Sequence, residues 1–473
     1  MKDWFVVDKN GLKQLQAGKK KTFIINELVQ NAFDEDITFC KVDITQPQPN
    51  KIKIKVKDDN PEGFKDITHA YTLFADTYKR RDATKRGRFN LGEKQVISIC
   101  DNAEVQTTKG TIVFDERGRT EMNETTGQGS IITVVFDGDD DEFKELIEHT
   151  KTLIAPAKIR FIVNGLLMQS KDPQYTIKAS LMTEILKDDV MKNTHRKTSI
   201  HLIPSNGKSY IYEMGIPIVK TDCPWNIDVQ QKIPLAVDRQ TIQPFYYKDL
   251  YAEILNHTYQ ELSEETCSDL WVRTGMKDER IKKEAVQAIF QKRFGGKFLS
   301  SNPFDPNAND EAISKGYRVI TGSEMSKEEW AKAKDMGLIH STTEIFGEKN
   351  ELRNGTPMDL TDDMKRWSAF CRKVAKEFLG VDNLQVRFVS DSYAKARASY
   401  YPSLSPRMIS FNMALLGKTF FKTINQNNIN LLIHELGHEE GNHTEHSYHD
   451  CITRLAGLLI MKAKQDPKYF EYN

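Results

Sequence analysis

Glu27, Asn31 and Asp34 are spaced i, i+4 and i+7, so a helix over Thr22–Asp34 carries all three on one face, with Ile24, Leu28 and Ala32 round the other side. A carboxylate held there can polarise a water, and an amide one turn on can ligate a hard cation such as Mg²⁺. The bland alternative is a solvated helix edge. Downstream, Lys51–Lys57 reads K-I-K-I-K-V-K, a strand with one apolar face, and runs into Asp58-Asp59-Asn60-Pro61-Glu62-Gly63. An acidic residue at a strand end, followed by a glycine turn, can accept a hydrogen bond from an exocyclic amine; an ordinary β-turn is the competing reading. The stretch Gly87-Arg-Phe-Asn-Leu-Gly92-Glu93-Lys94 has two glycines whose main-chain N–H groups can close on phosphate oxygens, with a lysine following for charge. It is not a Walker A loop, because Glu93-Lys94 stands where Lys-Ser/Thr is required.

A second chemistry lies near the other end. His434-Glu435-Leu-Gly-His438 is an H-E-x-x-H on an expected helix. His434 and His438 project from one side and can share a Zn²⁺, and Glu435 can serve as base. Gly441 permits a turn that brings His443 back as the third ligand, with His446 as the alternative. Two other readings stay open: a structural zinc site without turnover, or a polar stripe of His443, His446 and His449 with no metal.

Taken in order and spacing, Glu-x-x-x-Asn-x-x-Asp, a strand with Asp-x-x-x-Gly, and Gly-x-Phe-x-x-Gly-x-Lys resemble the GHKL ATPase superfamily of gyrase, Hsp90, histidine kinases and MutL. A fourth element, Gly-Thr before a strand, is matched by Gly129-Ser130 leading into Ile131. The resemblance implies ATP and Mg²⁺ as cofactors. Glu27 would be the general base and Asn31 the Mg²⁺ ligand, with Asp34 beside them. Asp59 would bind the adenine amine, supported by Ser130, and Gly63 would form the turn. Gly87, Gly92 and Lys94 would belong to the lid over the phosphates. Pro61 and Asn90 depart from the family's usual glycines. Further on, Gln231-Lys232 and Asp238-Arg239-Gln240 resemble the transducer loop of gyrase and the middle segment of Hsp90, which makes Lys232 or Arg239 the expected cation at the transferring phosphate. The histidine segment is similar in layout to zincin-like peptidases of the SprT and WLM type. There Met408–Met413 would be the edge strand that holds an extended peptide.

The elements that must position these residues suggest an α+β multidomain chain. Residues 1–145 are expected as a Bergerat-type α/β sandwich ATPase and 146–262 as a transducer-like α/β domain. Residues 263–358 are expected as a helical and linker region, with loops over Phe298–Asp310 and Glu348–Pro357. Residues 359–473 are expected as a zincin-like α+β domain, in which a long amphipathic helix starts at Asn428. Strands are expected over Ile131–Phe136 and over Tyr210–Val219, the latter broken at Pro217, and Asp137–Glu142 reads as a surface boundary. Lys+Arg and Asp+Glu both count 67 in 473 residues. That balance gives no global pointer to a nucleic-acid or membrane partner and leaves room only for a local basic groove. No apolar run approaches the roughly 18 residues of a bilayer span, and no signal-peptide core is visible. The six cysteines form no CxxC pair. The expectation is a reduced cytoplasmic protein: an ATP-hydrolysing conformational switch coupled to a zinc metallopeptidase-like domain, acting on a protein or peptide and, by the family resemblance, a homodimer. The competing class is a MutL- or MORC-like nucleic-acid clamp, or an Hsp90-like chaperone, with a structural metal site.

Overall fold

The computed structural model describes residues 7–188, 190–236, 241–303, 305–346, 352, 356–392, 394, 396–443 and 445–472. It divides into two compact units, Met1–Arg293 and Phe294–Asn473.

The first unit opens with α1 (Lys9–Gln14) and α2 (Thr22–Phe33). Helical period drives α2 into place, with Ile24, Leu28 and Ala32 buried on one side and Ile25, Val29 and Phe33 beside them. A hairpin of β1 (Phe39–Gln48) and β2 (Lys51–Asp58) follows, then α3 (Gly92–Ile99), β3 (Asn102–Thr107), β4 (Gly110–Asp115), β5 (Gly118–Met122) and β6 (Ile131–Asp137). After α4 (Asp140–Thr150) come β7 (Arg160–Val163) and β8 (Leu166–Leu167). These strands make one eight-stranded sheet in the order β5-β4-β3-β6-β2-β1-β7-β8, antiparallel throughout except for the β1/β7 pair. Alternating residues of β1, β2 and β6 (Val42, Ile54, Val134) share a core with α2.

The boundary expected at 145/146 falls inside α4, and the first sheet runs on to Leu167. The acidic run at Asp137–Glu142 is largely exposed and joins the end of β6 to the start of α4. Asp139 and Glu142 form a capping box there, and the acids of the first turn suit the positive end of the helix dipole.

A second sheet contains β9 (Tyr175–Lys187), β10 (Val190–Pro204), β11 (Ser209–Glu213), β12 (Ile216–Thr221) and β13 (Trp225–Val229), in the order β12-β11-β13-β10-β9. The break expected at Pro217 in Tyr210–Val219 lies instead at Met214 and Gly215, both at positive φ (47° and 89°), where the chain folds back from β11 into β12. Helices α5 (Pro244–Thr258), α6 (Leu270–Gly275) and α7 (Lys283–Phe294) complete this part; Trp271 of α6 packs edge-on to Trp225 of β13 at 6.4 Å.

In the second unit β14 (Phe298–Ser300) pairs in parallel with β15 (Arg318–Ile320), beside α8 (Pro306–Ser314), α9 (Lys327–Asp335) and α10 (Thr342–Phe346). The loop expected over Phe298–Asp310 therefore holds a strand and a helix start: Asp305 caps the Ala308 N–H at 3.1 Å and Pro306 occupies the first turn. Next come β16 (Thr356–Pro357), α11 (Asp362–Leu379), β17 (Leu384–Ser390), β18 (Ala398–Tyr401), β19 (Arg407–Asn412), α12 (Met413–Leu416), α13 (Gln426–Gly437) and α14 (His446–Gln465). The sheet order β16-β17-β19-β18 makes two corrections. The strand at Arg407–Asn412 is interior, paired on both sides, so it is not the edge; β18 ends the sheet instead. The boundary at 358/359 also separates β16 from the sheet it belongs to. The long helix expected from Asn428 is two, α13 and α14, split by the segment around Gly441. Trp367 of α11 stacks on Phe421 at 5.1 Å in this core. All six cysteines are buried and free. Among the described residues no helix is long and apolar enough to cross a membrane.

Candidate functional site

A cavity of about 360 Å³ opens in the first unit, within the range of ~300–1,000 Å³ typical of small-molecule sites. Its wall includes Glu27 and Asn31 from α2, Gly63 from the turn after β2, Gly87 and Gly92 from the glycine stretch, and Ser130 from the entry to β6. Six residues singled out by type and spacing thus meet around one space, though nothing in their separation along the chain requires it.

The acid at the end of β2 that faces this space is Asp58, not Asp59. Asp58 lies on the buried side of β2 with Ile52, Ile54 and Val56. Its Oδ1 accepts the N–H groups of Asn60 (3.0 Å) and Ser130 (3.1 Å), which leaves Oδ2 to accept from a ligand. Burial pushes its carboxyl up to about 6. Asp59 turns the other way and is consumed by the start of β1: it accepts from the Thr38 N–H at 2.9 Å, the Thr38 hydroxyl at 2.5 Å and the Phe39 N–H at 3.0 Å.

Glu27 and Gly92 are interlocked. A Cβ built on Gly92 would fall 1.7 Å from Glu27 Oε2, so the bare first residue of α3 makes room for the acid of α2. Gln30 donates to the same oxygen.

Three other expected ligands sit elsewhere. Asp34 is buried and salt-bridged to Arg86 at 2.6 Å, and it also accepts the Gly87 N–H at 3.0 Å. It holds the glycine stretch in place rather than lining the cavity. Burial raises its carboxyl, but the Arg86 and Lys79 charges outweigh that and hold it low. Lys94 lies in the first turn of α3, pairs with Glu93 at 3.5 Å and donates to Asn90 Oδ1 at 3.3 Å. Lys232 is fully buried; its ammonium donates to the main-chain carbonyls of Lys79 (2.5 Å) and Arg80 (3.4 Å), and burial lowers it to about 8. It braces the segment behind the cavity wall. Arg239 lies outside the described residues.

Three cations missing from the sequence reading line the cavity: Lys65, Lys79 and Arg88. Lys79 sits 2.6 Å from Glu35, and Gly87 leaves space for its stem, because a Cβ there would come within 2.8 Å of Lys79 Cδ. Arg88 reaches the second sheet, with Nη1 and Nη2 at 2.9 and 2.7 Å from the two oxygens of Glu213. Lys79 lies in a three-residue 3-10 helix (Tyr78–Arg80) and the other two in irregular chain, stretches too short for a periodicity to mark them.

In the second unit, His434, His438 and His443 each bring a ring nitrogen into one group, all within 4.8 Å of one another. His434 Nε2 and His443 Nε2 are 3.1 Å apart. Two nitrogens each ~2.0–2.1 Å from one tetrahedral ion would lie about 3.4 Å apart, close to the His434–His443 separation, and imidazole is a donor type zinc takes. His438 Nδ1 donates to the Gly441 carbonyl at 3.1 Å, which leaves Nε2 as the bare nitrogen. Burial brings His434 and His443 down to about 4, the neutral form a metal requires. Gly441 is crowded: a Cβ there would sit 2.3 Å from Glu445 Oε2. His446, the alternative ligand, is exposed at the start of α14 and outside the group. Glu435 follows His434 and is buried.

No family model matches this sequence, and no curated protein matches it. Among solved structures, the chain is similar to the N-terminal domain of a DNA repair protein, with TM-score 0.32 and 13% identity over 50% of this chain and 92% of that one. It is also similar to the ATPase region of Saccharomyces cerevisiae topoisomerase II, with TM-score 0.33 and 11% identity over 57% and 84%. A third similarity is to the ATPase and transducer domains of DNA topoisomerase II from Balamuthia mandrillaris, with TM-score 0.27 and 11% identity over 42% and 59%.

Proposed function

We propose that the first unit binds ATP with Mg²⁺ and hydrolyses it, and that the second unit holds zinc on His434, His438 and His443. The observation that carries the nucleotide reading is Asp58. A desolvated carboxylate with one oxygen tied to two N–H groups and the other available matches an exocyclic amine, and it shares its cavity with Glu27, Asn31 and three glycines.

In this reading Asp58 takes the adenine amine, with Ser130 orienting it. Glu27 accepts the proton of the attacking water, and Asn31, one helical turn away, would hold the Mg²⁺ that neutralises phosphate charge. Main-chain N–H groups around Gly87 and Gly92 address phosphate oxygens, and Lys79 takes the cationic role first expected of Lys94. Lys232 acts on Lys79 from behind, through its carbonyl. For the second unit, a bound zinc would supply Lewis acidity, and Glu435 beside His434 would be the proton acceptor of a peptide-bond hydrolysis.

The test is calorimetric titration of the purified full chain with ATP and Mg²⁺, alongside phosphate release and zinc content. Saturable binding lost in Asp58→Asn, turnover lost in Glu27→Ala with binding kept, and one zinc per chain support the reading. No heat with ATP and magnesium overturns its nucleotide half, and no retained zinc overturns the other.

A further inference from the structure

Tyr448 is fully buried in α14 and sits at the centre of the three imidazoles, its ring 6.0, 4.8 and 5.0 Å from those of His434, His438 and His443. Its hydroxyl lies 3.0 Å from His434 Nδ1 and 3.3 Å from the His434 carbonyl oxygen. A phenol has one proton to give, and a carbonyl oxygen can only accept. When the hydroxyl donates to the carbonyl, Nδ1 must carry the other hydrogen and donate back to the phenol oxygen. That leaves Nε2 of His434 unprotonated, on the side where His443 Nε2 lies 3.1 Å away.

We propose that Tyr448 is a positioning residue of the metal set, fixing the tautomer and ring orientation of His434 so that its Nε2 lone pair meets those of His438 and His443. This rests on the zinc reading of the three histidines. The chain makes room for it specifically. A Cβ on Gly437 would come 2.9 Å from Tyr448 Cε2 and 2.3 Å from Ile452 Cγ2, so the glycine of H-E-L-G-H lets α14 approach α13 closely enough for the phenol to reach. His438 reaches the same state through a main-chain acceptor, Gly441. His434 depends on a side chain from another helix.

The test uses the full chain and zinc itself, measured by competition with a chromogenic chelator, together with the visible spectrum of the Co²⁺-substituted protein. Tyr448→Phe keeps the ring and removes only the hydroxyl. Zinc affinity should fall about 10–100-fold, as for other lost partners of metal-bound histidines. The Co²⁺ bands should shift, and the melting temperature of the metal-free protein should stay at the wild-type value. Wild-type affinity and spectrum in Tyr448→Phe, with affinity lost in His434→Ala, overturn this proposal and leave the zinc site standing. A wild-type chain that binds no zinc overturns both.

Discussion

The carboxylate of Glu27 occupies the space that a side chain at Gly92 would fill: an ideal Cβ at 92 falls 1.7 Å from Oε2 and 2.5 Å from Cδ. The acid sits on α2 and the glycine opens α3, so the packing of two helices sets where the acid points. Gly92→Ala must push the carboxylate away while leaving Asp58 untouched. Turnover of ATP should fall by at least roughly 100-fold, the scale of a lost general base, with the dissociation constant changed little. Phosphate release and calorimetry separate the two quantities. Wild-type turnover in Gly92→Ala would remove Glu27 from the chemistry.

Asp58 and Asp59 are adjacent and chemically identical, which makes them each other's control. Asp58→Asn should weaken ATP binding by roughly 10–100-fold, the value of a hydrogen bond to a charged group. Asp59→Asn should bind normally and lose some stability, because it gives up charged acceptors for Thr38 and Phe39. The reverse result, with Asp59→Asn losing ATP, would return the amine contact to Asp59.

Acid should act through the same residue. Burial raises the Asp58 carboxyl to about 6, and with Oδ1 accepting two N–H groups the proton falls on Oδ2, the oxygen left for the amine, so the ionised form is the far stronger acceptor. Between pH 7 and pH 5 the ionised fraction falls about tenfold, so ATP affinity should fall by a similar factor in wild type and much less in Asp58→Asn. The stability sign is opposite. A carboxyl raised in the folded state favours folding fully below its unfolded value and loses that contribution as pH rises through about 6. The ligand-free Asp58→Asn protein should therefore gain melting temperature relative to wild type as pH goes from 5 to 8. A difference that stays flat with pH would show that Asp58 is not desolvated.

How much of this site could be seen in the residues alone depends on whether a period governed them. Glu27 and Asn31 were legible because a helix repeats every 3.6 residues and the apolar positions between them fixed its buried side. Asp58 is legible in the same way. The alternation that marks β2 as a strand runs Ile52, Ile54, Val56, Asp58 on one face, so the buried acid follows from the strand itself. Lys79, in a three-residue 3-10 helix, and Arg88, in irregular chain, lie between β2 and α3, where only tertiary contacts put them on the wall. The same limit applied to the strand at Arg407–Asn412, whose composition says strand but not whether both of its edges are paired. His443 was reachable because its distance from His438 and the glycine between them constrain a short turn.

The guanidinium of Arg86 gathers three parts of the first unit. It pairs with Asp34 at the end of α2, it precedes Gly87 in the glycine stretch, and it donates to the carbonyls of Glu213 and Met214 at the β11 turn. Both charges are almost wholly out of water, so removing one partner strands the other. Arg86→Met should cost about 3–5 kcal/mol, as for other broken buried pairs, and lower the first unit's melting temperature by roughly 10 °C. The double variant Asp34→Leu/Arg86→Met has no stranded carboxylate and should recover much of that loss. A surface-like pair would give a small effect for Arg86→Met and an additive double variant. The calorimetric melting curves of the three proteins decide between the two.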